Sequence, residues 1–169
     1  YSGNIIAMGE RQYNEPGYQY QGRMQIYSYD ESTNLWSSMN GAPFMSIANT
    51  NTNQFFGTRI SINKSADSSI DGTVLVVTSL GSYTLEVWKY ENNSWTNAWS
   101  QNISGTSSSS ATRASYVSMI SDGTAFIAFD ETNNRFMKWT AQNSGKTSWS
   151  YSNVTSVNMT CYSEVVGTN

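Results

Sequence analysis

One pattern occurs three times in this chain, and no other feature constrains its fold as tightly. Ile60-Ser61-Ile62 leads into Asp71-Gly72-Thr73-Val74-Leu75-Val76-Val77, and Val117-Ser118-Met119-Ile120 leads into Asp122-Gly123-Thr124-Ala125-Phe126-Ile127-Ala128. The third copy is divided between the ends of the chain, with Tyr162-Ser163-Glu164-Val165-Val166 at one end and Gly3-Asn4-Ile5-Ile6-Ala7-Met8-Gly9 at the other. The second half of the unit recurs too. Met24-Gln25-Ile26-Tyr27-Ser28-Tyr29 precedes Trp36, Leu85-Glu86-Val87-Trp88-Lys89-Tyr90 precedes Trp95, and Asn134-Arg135-Phe136-Met137-Lys138-Trp139 precedes Trp149. A period of roughly 50–60 residues with several short strands per unit is the signature of propeller blades.

Each unit reads as four strands. The first ends near an Asp-Gly or Ser-Gly turn, where glycine supplies the positive φ that a tight hairpin needs. The second is nearly all apolar, as in Val74-Leu75-Val76-Val77. The third carries aromatic and β-branched residues on both faces, with Val87 on one side and Glu86 and Trp88 on the other. The fourth begins at the recurring Trp. Strands apolar on both faces belong to a sheet held between neighbours. The expected fold is therefore all-β and β-propeller-like, with three four-stranded blades, one of them split between the termini. Blade one comprises 162–169 plus 1–50, blade two 55–104 and blade three 111–155. The recurring Trp residues are expected to pack between blades, the alternative being platforms for sugar stacking.

Three blades are too few for a ring, since propellers hold about four to eight. Either the ends of one chain pair, or each chain donates its last strand to the next, or the sequence is a window on a longer propeller. The first residue is Tyr1 rather than Met, which implies a removed leader or a longer parent chain.

Composition removes whole classes of chemistry. There is no His, so the commonest general base, triad partner and zinc ligand are missing. Cys161 is the only cysteine; it reads as a small buried residue or as one half of an intermolecular disulfide. No phosphate loop or dinucleotide fingerprint occurs. The nine Lys and Arg are scattered and the net charge is −3, so nucleic acid is not an expected partner. No apolar run is long enough to cross a membrane as a helix. Neither cofactor nor metal is expected. The stretch 63–72 carries oxygen donors before Gly72, but lacks the alternating carboxylates of a calcium loop and reads as a hydrated loop. Asp30, Glu31, Glu86, Glu91, Asp130 and Glu131 could supply a glycosidase pair. Several of them border hairpin turns, where acidic side chains stay in water.

One connection departs from the repeat. Glu10 to Gly22 joins strands two and three of the split blade, whereas the matching link in blade two is only about Ser79 to Ser82. Long loops on rigid β-scaffolds carry binding. Tyr13, Tyr18 and Tyr20 would offer flat amphipathic surface to glycans or surface proteins, or pack over a blade edge. Charged residues make up only 12% of the chain while Ser, Thr and Asn abound, which suits an extracellular or virion-surface protein. Sequons at Asn63, Asn92, Asn102, Asn153 and Asn158 are candidate glycosylation sites.

Phe56-Gly57-Thr58-Arg59-Ile60-Ser61-Ile62, the Asp71-Gly72 turn with its apolar strand, and Leu85-Glu86-Val87-Trp88-Lys89-Tyr90 followed by Trp95 resemble FG-GAP-like (integrin-α-type) β-propeller repeats. The third unit has Arg113-Ala114-Ser115-Tyr116 in place of Phe-Gly, and the aspartate-rich calcium loops of that family are absent. The resemblance implies an extracellular or viral surface protein used in adhesion or assembly. The expected role is thus a non-enzymatic structural or assembly subunit, partnered by itself or by a larger propeller through the split blade. An adhesin or lectin module using the Tyr loop is the alternative, and a carboxylate glycosidase the remote one.

Overall fold

A computed structural model of the chain describes residues 4–14, 16, 19–45, 55–63, 72–79, 84–103, 114–120, 123–130 and 134–154. Among these residues there is no helix, and so none long and apolar enough to cross a membrane. The chain forms three antiparallel sheets, each built from strands consecutive in sequence. The first holds β1 (Ile5–Glu10), β2 (Arg23–Asp30) and β3 (Leu35–Ser38). The second holds β4 (Phe56–Asn63), β5 (Val74–Ser79), β6 (Thr84–Glu91) and β7 (Ser94–Asn102). The third holds β8 (Ala114–Met119), β9 (Ala125–Asp130), β10 (Arg135–Ala141) and β11 (Trp149–Val154). β1 therefore corresponds to β5 and β9. The strand that would correspond to β4 and β8 is expected at Tyr162–Val166, outside the described residues, as is Cys161.

Turn chemistry explains the hairpins. Asn92 and Asn93, both at positive φ (51° and 62°), form the two-residue link between β6 and β7. A turn with both central residues at positive φ matches the right-handed twist of its strands, and asparagine tolerates that geometry. Asp30 organises the β2–β3 turn, its carboxylate accepting from the Ser32 amide at 2.9 Å, the Ser32 hydroxyl at 2.7 Å and the Thr33 hydroxyl at 3.0 Å. Gly72 and Gly123 sit at φ +82° and +68°, as the repeat requires of them, while Asp71 and Asp122 lie outside the described residues.

The sheets stack face to face in chain order. One apolar core joins the first sheet to the second, with Ile5, Met24, Ile26, Met39 and Phe44 meeting Leu75, Val77, Trp88, Tyr90 and Trp95. Another joins the second to the third, with Val74, Val76, Leu85 and Val87 meeting Phe126, Met137, Trp139 and Trp149. Every residue of β5 is buried, because both faces of the middle sheet are covered. That is the physical reason its strands do not alternate between apolar and polar.

A β-bulge at Val87/Trp88 tightens this arrangement. Trp88 lies opposite Asn97 and Val87 opposite Trp99, leaving Ala98 as the extra residue. Trp95 faces the first sheet, and simple alternation would send Trp99 the same way. The added residue turns Trp99 to the third sheet instead, where its ring lies 6.4 Å from Phe126 and 6.3 Å from Trp149. Polar links also cross between the sheets. Ser61 Oγ accepts from the Met119 amide at 2.9 Å, Asn63 Nδ2 donates to the Ile120 carbonyl at 3.0 Å, and Trp139 Nε1 donates to Gln101 at 3.1 Å.

The recurring Trp residues do not share one environment. Trp95 and Trp149 are buried at sheet interfaces, as the repeat leads one to expect, whereas Trp36 is 43% exposed. Trp36 stands opposite Tyr29 as Trp95 stands opposite Tyr90, so its position in the unit is the same. The difference is that no sheet among the described residues covers that face of the first sheet.

Candidate functional site

Tyr13 and Tyr20, towards the two ends of the Tyr loop, are each tied to the sheets. The Tyr13 carbonyl accepts from the Gly22 amide at 3.1 Å and closes the loop base. The Arg23 guanidinium lies 3.9 Å over the Tyr13 ring, and Arg23 Nε donates to Glu10 Oε2 at 2.6 Å while Gln25 Nε2 donates to Glu10 Oε1 at 2.8 Å. These bonds, led by that from Arg23, hold the Glu10 carboxyl below its ordinary value, and the partnership raises Arg23 in turn. The Tyr20 ring stacks on Phe55 at 5.6 Å, and its carbonyl accepts from the Phe55 amide, binding the loop to the start of β4. Tyr13 and Tyr20 thus each have a ring partner within the chain. Tyr18 lies outside the described residues.

The candidate carboxylates are distributed over all three sheets, and several are already engaged. Asp30 caps its turn; the hydrogen bonds from Ser32, then Thr33, hold its carboxyl below the ordinary value. Glu86 is fully buried and its Oε2 accepts from Trp88 Nε1 at 2.9 Å and from Asn97 Nδ2 at 3.3 Å. Asp130 is also fully buried and pairs with Arg135 at 3.1 Å. Glu91 is ion-paired with Lys89. The expectation that acidic residues beside turns stay in water therefore fails at Asp130, at the end of β9, and Glu86, within β6, is buried as well. Each is retained in the interior because donors satisfy its charge or polarity there. Glu31 is exposed and Glu131 lies outside the described residues. Among the described residues no three or more Asp, Glu, Cys or His converge as a metal would require.

Of the sequon asparagines, Asn92 is exposed at its hairpin turn, and Asn102 and Asn153 are exposed on β7 and β11. Asn63 uses its amide nitrogen, the atom a glycan would take, to hold the Ile120 carbonyl. Asn158 lies outside the described residues.

Sequence reasoning passed over the two ends of the stack. On the first sheet, Ile6, Met8, Tyr27, Tyr29 and Trp36 share the face opposite the core residues Ile5, Met24 and Ile26. Met8 is 45% exposed, and the Tyr29 and Trp36 rings lie 5.1 Å apart. On the third sheet, Ile127, Phe129 and Phe136 share the face opposite Phe126, Ala128 and Met137. The Phe129 and Phe136 rings lie 4.9 Å apart and, with Tyr116 and Ser118, line a groove of about 340 Å³. The signal was present in the sequence: both sets alternate with core residues at the period of a strand, so each end sheet bears apolar residues on both faces and has one neighbouring sheet among the described residues.

Compared with known proteins, the chain matches no family model and no curated sequence.

Proposed function

We propose that this chain is a non-enzymatic structural or assembly subunit built of propeller-type repeats, working at an extracellular or virion surface. One observation carries the reading. Each end face of the stack presents aromatic and aliphatic side chains at strand positions that are packed within it, with Ile6, Met8, Tyr27, Tyr29 and Trp36 beside the Glu10–Arg23–Gln25 cluster at one end and Ile127, Phe129, Phe136 and Tyr116 beside Lys138 at the other. Contiguous apolar surface of this sort marks association rather than solution life as a monomer. The occupied carboxylates Asp30, Glu86, Glu91 and Asp130 support the non-enzymatic part. The low charge and abundance of Ser, Thr and Asn support the surface location. Propeller closure also accounts for the outer edge of β1, which pairs with no strand among the described residues. Tyr162–Val166, of this chain or of a neighbour, is the complementary strand, and its pairing would remove an edge prone to aggregation.

Solution mass and a glycan array test this together. Association of the purified chain without glycan capture supports an assembly role. A chain that stays monomeric and captures defined glycans through the Tyr13–Tyr20 loop would replace it with the lectin reading.

A further inference from the structure

Each internal interface follows one rule. The face a sheet turns to its predecessor is aromatic: Trp88, Tyr90 and Trp95 on the second sheet, and Phe126, Trp139 and Trp149 on the third. The face turned to the successor is mainly aliphatic, with Ile5, Met24 and Ile26 on the first sheet and Val74, Val76, Leu85 and Val87 on the second, each joined by one aromatic, Phe44 and Trp99. The open face of the first sheet, with Tyr27, Tyr29 and Trp36, is of the predecessor-facing kind. It repeats even the polar detail, since Tyr27 donates to Gln25 at 3.2 Å where Trp88 donates to Glu86 at 2.9 Å. By strand register, Ile127, Phe129 and Phe136 on the third sheet stand where Val76, Thr78 and Leu85 stand on the second. That open face therefore holds the successor-facing positions, with aromatic rings at two of them.

We propose that the first sheet's Tyr27–Tyr29–Trp36 face seats on the third sheet's Ile127–Phe129–Phe136 face of a second copy of this chain, in head-to-tail association. The inference rests on the assembly reading above and names its surface and partner. The two faces differ, so the contact is heterologous, and such contacts either close into a ring or run on as a filament. Two copies would place six sheets around one axis, within the range of about four to eight at which sheets of this kind close. Closure engages both contacts at once, so the second forms at high effective concentration and neither needs to be strong alone.

The test uses sedimentation equilibrium of the 169-residue chain with Trp36→Glu and, separately, Phe136→Glu, each checked for an intact fold by circular dichroism. If Phe136→Glu fails to fold, Tyr116→Glu replaces it, because Tyr116 is 68% exposed on the same groove. The wild type is expected as a two-chain species. Each variant should self-associate on the order of a hundredfold more weakly, as for the loss of an interface anchor. Mixing the two variants should give tighter association than either variant alone and weaker than wild type, since one intact first-sheet face then meets one intact third-sheet face while the second contact stays broken. A Trp36→Glu monomer beside an unaffected third-sheet variant would overturn the head-to-tail inference while leaving an assembly role standing. A wild type that is monomeric at every concentration would overturn this inference, and glycan capture by that monomer would overturn the assembly reading as well.

Discussion

Replacing Trp95 with alanine should unfold the chain far more readily than the same change at Trp36, although the two residues hold the same place in the repeat. Trp95 is 4% exposed, with its ring 5.5 Å from Tyr90 on its own sheet and 6.1 Å from Phe44 on the first. An aromatic of this size buries roughly 200 Å². At about 25 cal/mol per Å² that sets an upper value near 5 kcal/mol, consistent with the ~3–5 kcal/mol typical of large buried aromatics cut to alanine. The buried Trp95 indole N–H has no hydrogen-bond partner among the described residues, so its removal also relieves a desolvation cost of about 1–3 kcal/mol. The expected loss is thus near the lower end, about 3 kcal/mol. Trp95→Phe, which keeps a ring and drops the unpartnered donor, should cost less than about 1.5 kcal/mol. Trp36→Ala should cost about 1 kcal/mol, since Trp36 is 43% exposed and its ring pairs with Tyr29 at the edge of the stack. Urea unfolding followed by far-ultraviolet circular dichroism gives these values. The chain must be dilute enough to be monomeric, because association would add to apparent stability. A Trp95→Ala change within about 0.5 kcal/mol of wild type, or equal losses at Trp95 and Trp36, would refute the stacking argument.

Other substitutions probe separate parts of the account. Gly9 lies against β4, where an added Cβ would stand 2.0 Å from the Gly57 carbonyl oxygen. Gly9→Ala should cost about 3 kcal/mol or more by chemical denaturation, while Gly145→Ala, with no atom nearer than 3.9 Å, should stay within about 0.5 kcal/mol. The folded Glu10 carboxyl titrates below its ordinary value of 4.5, so the stability it contributes is present above that pH and is lost as pH falls through the lower folded value. Glu10→Gln should flatten the fall in melting temperature over that window, and an unchanged profile would remove the Arg23–Glu10–Gln25 cluster as a source of stability. Deleting residues 161–169 should lower the melting temperature by about 2–4 °C or more, the equivalent of ~1 kcal/mol in a chain of this length, or should dissociate the assembly. An unchanged temperature with an unchanged solution mass would exclude Tyr162–Val166 as the strand that completes the first sheet.

The order of strands and the buried middle sheet were legible because repeat period, turn glycines and doubly apolar strands are local signals that agree with one another. Val74-Leu75-Val76-Val77 announced β5 and its burial without any tertiary knowledge. Trp36 was misplaced because a repeat position predicts the face a residue takes, whereas its burial depends on whether a neighbour covers that face. Trp99 went unnoticed because the bulge that redirects it depends on pairing across β6 and β7. The burial of Glu86 and Asp130 was not foreseen because two of their donors, Asn97 and Arg135, reach them only once β6 pairs with β7 and β9 with β10. The Tyr loop was recognised as an exception to the repeat. The sequence left binding and packing both open for it, because the Arg23 stacked on Tyr13 and the Phe55 beneath Tyr20 are contacts made only in the folded chain.

Hydroxyl-radical footprinting of the chain, dilute and then concentrated, reads the central claim side chain by side chain. The account predicts that Trp36 is labelled in the dilute chain while Trp95, Trp139 and Trp149 are protected, matching their burial. On concentration, Trp36 and Tyr29 at one end and Tyr116 and Phe136 at the other should become protected together, with the interior residues unchanged. Labelling of Trp95 as readily as Trp36, or protection at one end of the stack without the other, would contradict it.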